Sequence, residues 1–215
     1  QMVTNANNKG IEMKAQVAPR PVGVLLSLQS TYHPFIMCPA YQSLIGKPLA
    51  EQVSALNSDS ELRKKICDEW PGHVLFPMDQ VFEFENPPNY EPAADQSLVA
   101  RAEDQGISAA ELALSIMLSE SGSGMLYYTA LNYAEGNSEV SREMLQHPYT
   151  VPGLGDGGAH VSFISDASFP TYLLTHWGRD RTRGERIALE ELIKGQTQDT
   201  AKVVGLNDRG TLAAG

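Results

Sequence analysis

The chain has few cysteines, no long apolar run and no excess of basic residues. Its 215 residues include only Cys38 and Cys67, which are far apart and form no metal-type pair, so no disulfide framework is predicted. No stretch approaches the roughly 20 apolar residues of a membrane span. The net charge of -10 argues against a surface for nucleic acid or anionic membrane. We therefore expect a cytoplasmic protein without nucleic-acid or membrane partners.

Histidine is also sparse. The chain has five histidines, and no two show the i, i+2 or i, i+4 spacing of a self-contained metal site. A metal site built from these residues alone is therefore not expected.

The pattern of strands and helices predicts an α/β fold. Segments 11–17, 125–132 and 150–155 have strand character, and helical segments separate them, which is typical of βαβ units with parallel strands. Residues 22–40 show no clean period and are interpreted as a long excursion. The composition, 42% hydrophobic and 20% charged, is that of a globular domain.

Three local signals predict where helices begin. The spacings Ser58-x-x-Glu61 and Ser108-x-x-Glu111 are those of capping boxes. Thr197 is predicted to be the N-cap of a helix over 197–204.

Residues 151–160, which read VPGLGDGGAH, are the most informative part of the chain. An apolar run ends at Asp156, and glycines flank this carboxylate on both sides. Glycine allows close backbone approach to a ligand, so Asp156 is well placed to meet a metal or an activated water. The alternative is a glycine-rich turn in which Asp156 only accepts hydrogen bonds from backbone amides.

Two runs together resemble the amidohydrolase superfamily, in its D-aminoacylase (N-acyl-D-amino-acid deacylase) branch. The first is Gly153–His160, and the second is Gly205–Gly215, which reads GLNDRGTLAAG. Residues 197–201 are similar to the helix that precedes the second run in this family. The resemblance covers residues from about 100 to 215, and residues 10–39 more loosely.

The resemblance implies that residues 1–204 are the C-terminal portion of a (β/α)8 TIM-like barrel, with its last three strands and a long helical and loop insertion over about 22–100. Residues 205–215 would begin the return to a small, truncated β-domain, and we expect the chain to be a fragment. Asp156 would be the catalytic general base and a ligand of a divalent metal, zinc in the first instance. The other ligands of the family would lie outside this chain.

The implied substrate is an N-acyl amino acid, whose carboxylate needs a cationic partner. Arg20, which lies between two prolines just past a strand, is the first candidate, and Arg179 is the second. His160 is a candidate for substrate contact at the barrel mouth. Arg181 is interpreted as a solvated surface arginine. Residues 169–171, FPT, lack an arginine that related chains carry there, which places specificity for D-amino acids in doubt.

Two other functions stay open at this point. One is a different C–N hydrolase of the same superfamily, such as a cyclic-amide hydrolase. The other is a non-catalytic partial barrel that needs a partner, either a second copy or the missing N-terminal half, because open parallel edges are normally paired or covered.

Overall fold

The computed structural model describes residues 1–70, 76–153, 155, 157, 164 and 166–212, which form a mixed α/β structure with many helices and few strands. The helices are α1 (Met2–Asn8), α2 (Leu49–Ser58), α3 (Ser60–Glu69), α4 (Leu98–Gln105), α5 (Ala109–Gly122), α6 (Glu139–Leu145), α7 (Phe169–Tyr172), α8 (Leu189–Lys194) and α9 (Thr200–Val203). The strands are β1 (Ala15–Val17), β2 (Val22–Leu26), β3 (Val81–Glu83), β4 (Leu126–Leu131) and β5 (Thr150–Pro152).

Short irregular helical segments complete the secondary structure. Two π-helical segments, Leu173–Asp180 and Gly195–Asp199, continue α7 and α8. The 3-10 turns are Pro39–Leu44, Met78–Gln80, Ala94–Gln96 and Asp166–Ser168.

The described residues separate into two compact units. The first contains the described parts of 1–22, 132–157 and 166–212. Its sheet consists of β1 and β5, which are parallel with Ala15 opposite Thr150 and Val17 opposite Pro152. Buried side chains around this sheet include Val17, Val151 and Trp177.

The second unit contains the described parts of 23–131 and residue 164. In its three-stranded sheet, β4 lies between β2 and β3. Strands β3 and β4 are antiparallel, with Phe82 opposite Tyr127. The core of this unit includes Leu26 and Leu126 from the sheet and Ile66 and Met117 from the helices.

The strand predictions need three corrections. The predicted strand 11–17 is limited to Ala15–Val17, because the Asn7 side chain bonds both backbone groups of Met13. The predicted excursion 22–40 begins with strand β2, whose apolar run without alternation is typical of a buried strand. The segment predicted at 125–132 does form a strand, but β4 pairs antiparallel with β3, since chain order alone does not specify the partner of a strand.

The helix-start predictions have mixed outcomes. The capping box at Ser108 is confirmed: its Oγ accepts from the Glu111 N–H at 3.1 Å, and Glu111 accepts from the Ser108 N–H at 2.8 Å. The box predicted at Ser58 is wrong, because Asp59 caps α3 by accepting from the Leu62 N–H at 2.9 Å. The N-cap predicted at Thr197 is also wrong, since the helical path continues through it and its hydroxyl donates to the Ile193 carbonyl.

In the part of the chain that the structure describes, no helix has the length and apolar character needed to cross a membrane.

His33 of the second unit is a buried neutral histidine. His33 is only 1% exposed, and its Nδ1 accepts a hydrogen bond from the Phe35 N–H at 3.3 Å. The ring packs edge-on against Tyr41, with 4.7 Å between centroids. Burial lowers the pKa of His33 to about 4, because the charged form would lose its hydration.

This lowered pKa predicts a loss of stability in acid. Below the ordinary histidine pKa of 6.5 the unfolded chain binds a proton that the folded chain resists until about pH 4. Neutral His33 therefore makes its full contribution to the free energy of unfolding above pH 6.5. That free energy falls by about 3 kcal/mol as the pH drops to 4. His33→Asn keeps an acceptor for the Phe35 N–H and removes this dependence. Urea unfolding of both proteins between pH 4.5 and 7.5 measures the difference.

His147→Asn is the matched control. The His147 Nδ1 accepts the same type of bond, from the Tyr149 N–H at 3.2 Å, but this ring is only half-buried. We expect His147→Asn to follow the wild-type pH dependence. An identical pH slope in His33→Asn and wild type would show that His33 is not the group responsible.

Candidate active site

The candidate site lies at the carboxyl ends of β1 and β5. Since the two strands are parallel, the segments that follow them emerge on the same side. The Gly153 N–H continues the ladder by donating to the Val17 carbonyl at 2.9 Å. The loop that carries Asp156 therefore starts beside the segment that carries Arg20. Asp156 and His160 themselves lie outside the described residues, so their assigned roles stay predictions.

The glycines around Asp156 permit close packing. A Cβ on Gly157 would lie 3.2 Å from the Ala167 Cβ, which is tighter than ordinary contact, and one on Gly153 would lie 3.1 Å from the Gln16 side chain. A Cβ on Gly155 would meet the Asp166 carbonyl oxygen and the Phe169 Cβ at 3.6 Å, an ordinary distance. The turn 166–169 thus supports the loop on both sides of position 156.

Arg20 is buried against this same turn. The residue is 3% exposed, and its Nη2 donates to the Ser168 Oγ at 3.3 Å. Asp166, itself 9% exposed, provides the counter-charge, with Oδ1 4.0 Å from Nη2. The guanidinium lies over the Phe169 ring at 4.8 Å and near the Tyr172 ring at 5.9 Å. Arg20 is therefore a buried cation held between a carboxylate and two aromatic rings.

Asp166 and Ser168 are the contacts that sequence reasoning missed. The Phe-Pro pair at 169–170 drew attention to this region, but nothing in the spacing connects an aspartate at 166 with an arginine at 20. Their meeting depends on the parallel pairing of β1 with β5, which is a tertiary feature.

Arg179, the second candidate for the substrate carboxylate, lies in a different environment. Its side chain is 72% exposed, and its guanidinium forms two hydrogen bonds with the neighbouring Asp180, at 2.6 and 2.8 Å. These hydrogen bonds hold the pKa of Asp180 below its usual range. The two arginines thus have separate carboxylate partners, and the structure does not bring them into one cluster.

The interpretation of Arg181 as a surface residue is wrong. It is 1% exposed, and its guanidinium lies 4.7 Å from the centre of the Trp177 ring. Its Nη2 donates to Glu139 Oε1 at 2.7 Å, and its Nη1 donates to the Glu185 carbonyl at the same distance. Hydrogen bonds from Arg142 and then Arg181 lower the pKa of Glu139. A sequence reading could not detect this burial, because the carboxylate partner, Glu139, lies 42 residues earlier in the chain.

The described residues do not build a metal site by themselves. Among the residues whose placement is described, no group of three or more His, Cys, Asp or Glu side chains could hold a metal ion. A carboxylate at Asp156 suits a divalent metal as one ligand.

Because Arg20 is buried and Arg179 is exposed, substitutions of the two residues should differ in their effect on stability. Arg20→Gln leaves Asp166 as a buried carboxylate without its cation, which we expect to cost about 3 kcal/mol. Arg179→Gln breaks an ion pair in solvent and should leave the urea midpoint essentially unchanged. Urea denaturation of the three proteins at pH 7 checks this difference. Equal midpoints for Arg20→Gln and Arg179→Gln would contradict the buried placement of Arg20.

Comparison with known proteins identifies the family. The model of the amidohydrolase family matches residues 92–215, which is more than half of the chain and includes the Asp156 loop. No curated protein and no solved structure matches the chain. Both runs that carry the resemblance in the sequence fall within the matched region. The chain therefore belongs to the amidohydrolase family.

Proposed function

We propose that this chain contains the C-terminal part of the catalytic barrel of a metal-dependent hydrolase that cleaves the amide bond of N-acyl amino acids, with the N-acyl-D-amino acids as the first class to test. The observation that carries the proposal is the family match, since it spans the Asp156 loop at the carboxyl end of β5. The family is one of hydrolases with a TIM-like barrel, and its members generally use divalent metals. The partial barrel over residues 1–204 is part of the same proposal.

In this proposal Asp156 acts as the general base. A carboxylate next to the scissile amide accepts a proton from the attacking water and returns it to the leaving amine. A divalent ion, zinc in the first instance, supplies electrophilic activation when it is bound. Asp156 would be one of its ligands, and the others would come from outside these residues, either from further sequence or from a second copy of the chain.

Arg20 is proposed as the partner of the substrate carboxylate, with Arg179 as the second candidate and His160 as a substrate contact. Support for Arg20 comes from its position beside the turn on which Gly155 and Gly157 pack. A buried guanidinium also interacts more strongly with a carboxylate than an exposed one does. Asp166 already faces Arg20 at 4.0 Å, so a substrate carboxylate would share the cation with it.

The ion pair between Arg20 and Asp166 also supports a second candidate function, because a substrate carboxylate would have to share Arg20 with Asp166. A cyclic amide has no free carboxylate, so it would leave the Arg20–Asp166 pair undisturbed. A cyclic-amide hydrolase therefore stays a candidate, and the preference of the protein between acyclic and cyclic amides distinguishes the two.

The role of Asp156 is tested by amine release from N-acetyl-D- and N-acetyl-L-amino acids and from a cyclic ureide. We expect the whole protein, with its metal and with the part that supplies the other ligands, to hydrolyse an N-acetyl amino acid. Asp156→Asn should lower kcat by roughly 10²–10⁴-fold, as expected when a general base is removed. Asp68→Asn, at an exposed carboxylate of the second unit, is the control and should retain activity. Full activity in Asp156→Asn, or hydrolysis of the cyclic ureide alone, would contradict the proposal.

The role of Arg20 is tested by comparing an N-acetyl amino acid with its amide, which lacks the carboxylate. Arg20→Lys keeps the charge facing Asp166 but loses the planar fork that binds a carboxylate at two points. We expect kcat/KM to fall by about tenfold for the acid and to change little for the amide. Arg179→Lys should leave both substrates unaffected. Equal losses on acid and amide would mean that Arg20 supports the fold of the site and does not bind the carboxylate.

A further inference from the structure

The first unit contains a groove of about 400 Å³ at the carboxyl ends of β1 and β5. Its apolar walls come from Pro19, which follows β1, and from Pro152, which ends β5. Phe169 and Leu173 form the wall on the α7 side. The volume falls in the range of about 300–1,000 Å³ that is usual for small-molecule sites. Grooves at this end of parallel strands are where ligands commonly bind.

The described residues that line the groove are electrically neutral. The described residues that line it carry no charged side chain, although the chain as a whole has a net charge of -10. Its polar groups are amides and a hydroxyl, including those of Gln16 and Thr200. A charged ligand group would lose hydration in such a groove without gaining a counter-charge, so the lining selects an uncharged group with apolar surface.

The groove is also continuous with the candidate active site. Gly155, the residue before Asp156, forms part of its lining. Phe169 contributes to the wall of the groove and also contacts the Arg20 guanidinium at 4.8 Å. A neutral group in the groove and an anionic group near Arg20 would thus be adjacent parts of one ligand.

We propose that this groove is the subsite for the acyl group of the substrate and that it selects uncharged acyl chains longer than acetyl. The inference rests on the proposed function, in which the substrate is an N-acyl amino acid. The amide bond then lies next to Gly155, with the amino-acid carboxylate toward Arg20 and the acyl chain along Pro152 and Leu173. The side chain of the amino acid is the competing occupant.

The test varies the two halves of the substrate separately. One series keeps glycine and lengthens the acyl group from formyl to octanoyl, and the other keeps acetyl and lengthens the amino-acid side chain. In the wild type we expect kcat/KM to rise roughly threefold to fourfold for each added methylene of the acyl chain until the groove is filled. Thr200→Trp should abolish this rise and change the rate for the formyl substrate by less than about twofold.

Two further variants control for disturbance of the fold. Gln16→Glu changes an exposed side chain isosterically and places a negative charge in the groove. It should lower kcat/KM for octanoylglycine and raise the relative rate for 6-aminohexanoylglycine, which carries a terminal ammonium. Gln198→Glu adds the same charge to the segment that precedes α9 but outside the groove lining, where the side chain bonds to Thr211, and should leave both rates unchanged.

The possible results distinguish a failure of the acyl subsite from a failure of the proposed function. If no N-acyl amino acid of either series is hydrolysed, the proposed function fails. If substrates are hydrolysed but Thr200→Trp and Gln16→Glu lower the rates of the side-chain series, or lower the rates for all acyl lengths equally, the assignment of the groove to the acyl group is wrong.

Binding of hexanamide is a test that does not depend on turnover, and NMR of the Leu173 and Thr200 methyl groups measures it. Absence of any shift at these methyl groups at saturating hexanamide would also overturn the inference.

Discussion

The Trp177 indole N–H donates a hydrogen bond to the Pro19 carbonyl at 2.6 Å, and the rest of the candidate site depends on this bond. Trp177 is completely buried, so an unpaired indole N–H there would be costly. Pro19 is the residue before Arg20, and the bond therefore fixes where the chain goes after β1. On its other side, the Trp177 ring contacts Arg181, which Glu139 holds at 2.7 Å.

Two buried arginines organise the first unit in the same physical way. Arg20 and Arg181 each lie over aromatic rings and each face a carboxylate, Asp166 and Glu139 respectively. A buried guanidinium needs such compensation because burial removes the water that hydrates its charge. The pairs differ in tightness, 4.0 Å for Arg20 and 2.7 Å for Arg181. The looser pair at Arg20 supports its proposed role with substrate, whereas Arg181 is held by the fold.

Sequence reasoning succeeded where the signal was local. The Ser108 box follows from a hydroxyl and a carboxylate three residues apart, and the family follows from runs whose residues are contiguous. It failed where the outcome depends on distant partners. The carboxylate partner of Arg181 is Glu139, 42 residues earlier in the chain, and no local pattern connects the two. Likewise, the partner of β4 could not be read from chain order, and Asp166 showed no feature that linked it to Arg20.

The central proposal is that Asp156 is one ligand of a divalent metal whose other ligands come from outside these residues. The most direct test is the metal content of the whole protein, including the part that supplies the other ligands, compared between wild type, Asp156→Ala and Asp166→Asn. The account predicts a stoichiometric divalent metal in the wild type and in Asp166→Asn, since Asp166 faces Arg20, and a large loss of metal in Asp156→Ala. Equal metal content in wild type and Asp156→Ala, or a wild-type protein that hydrolyses its substrate without metal, would contradict the account.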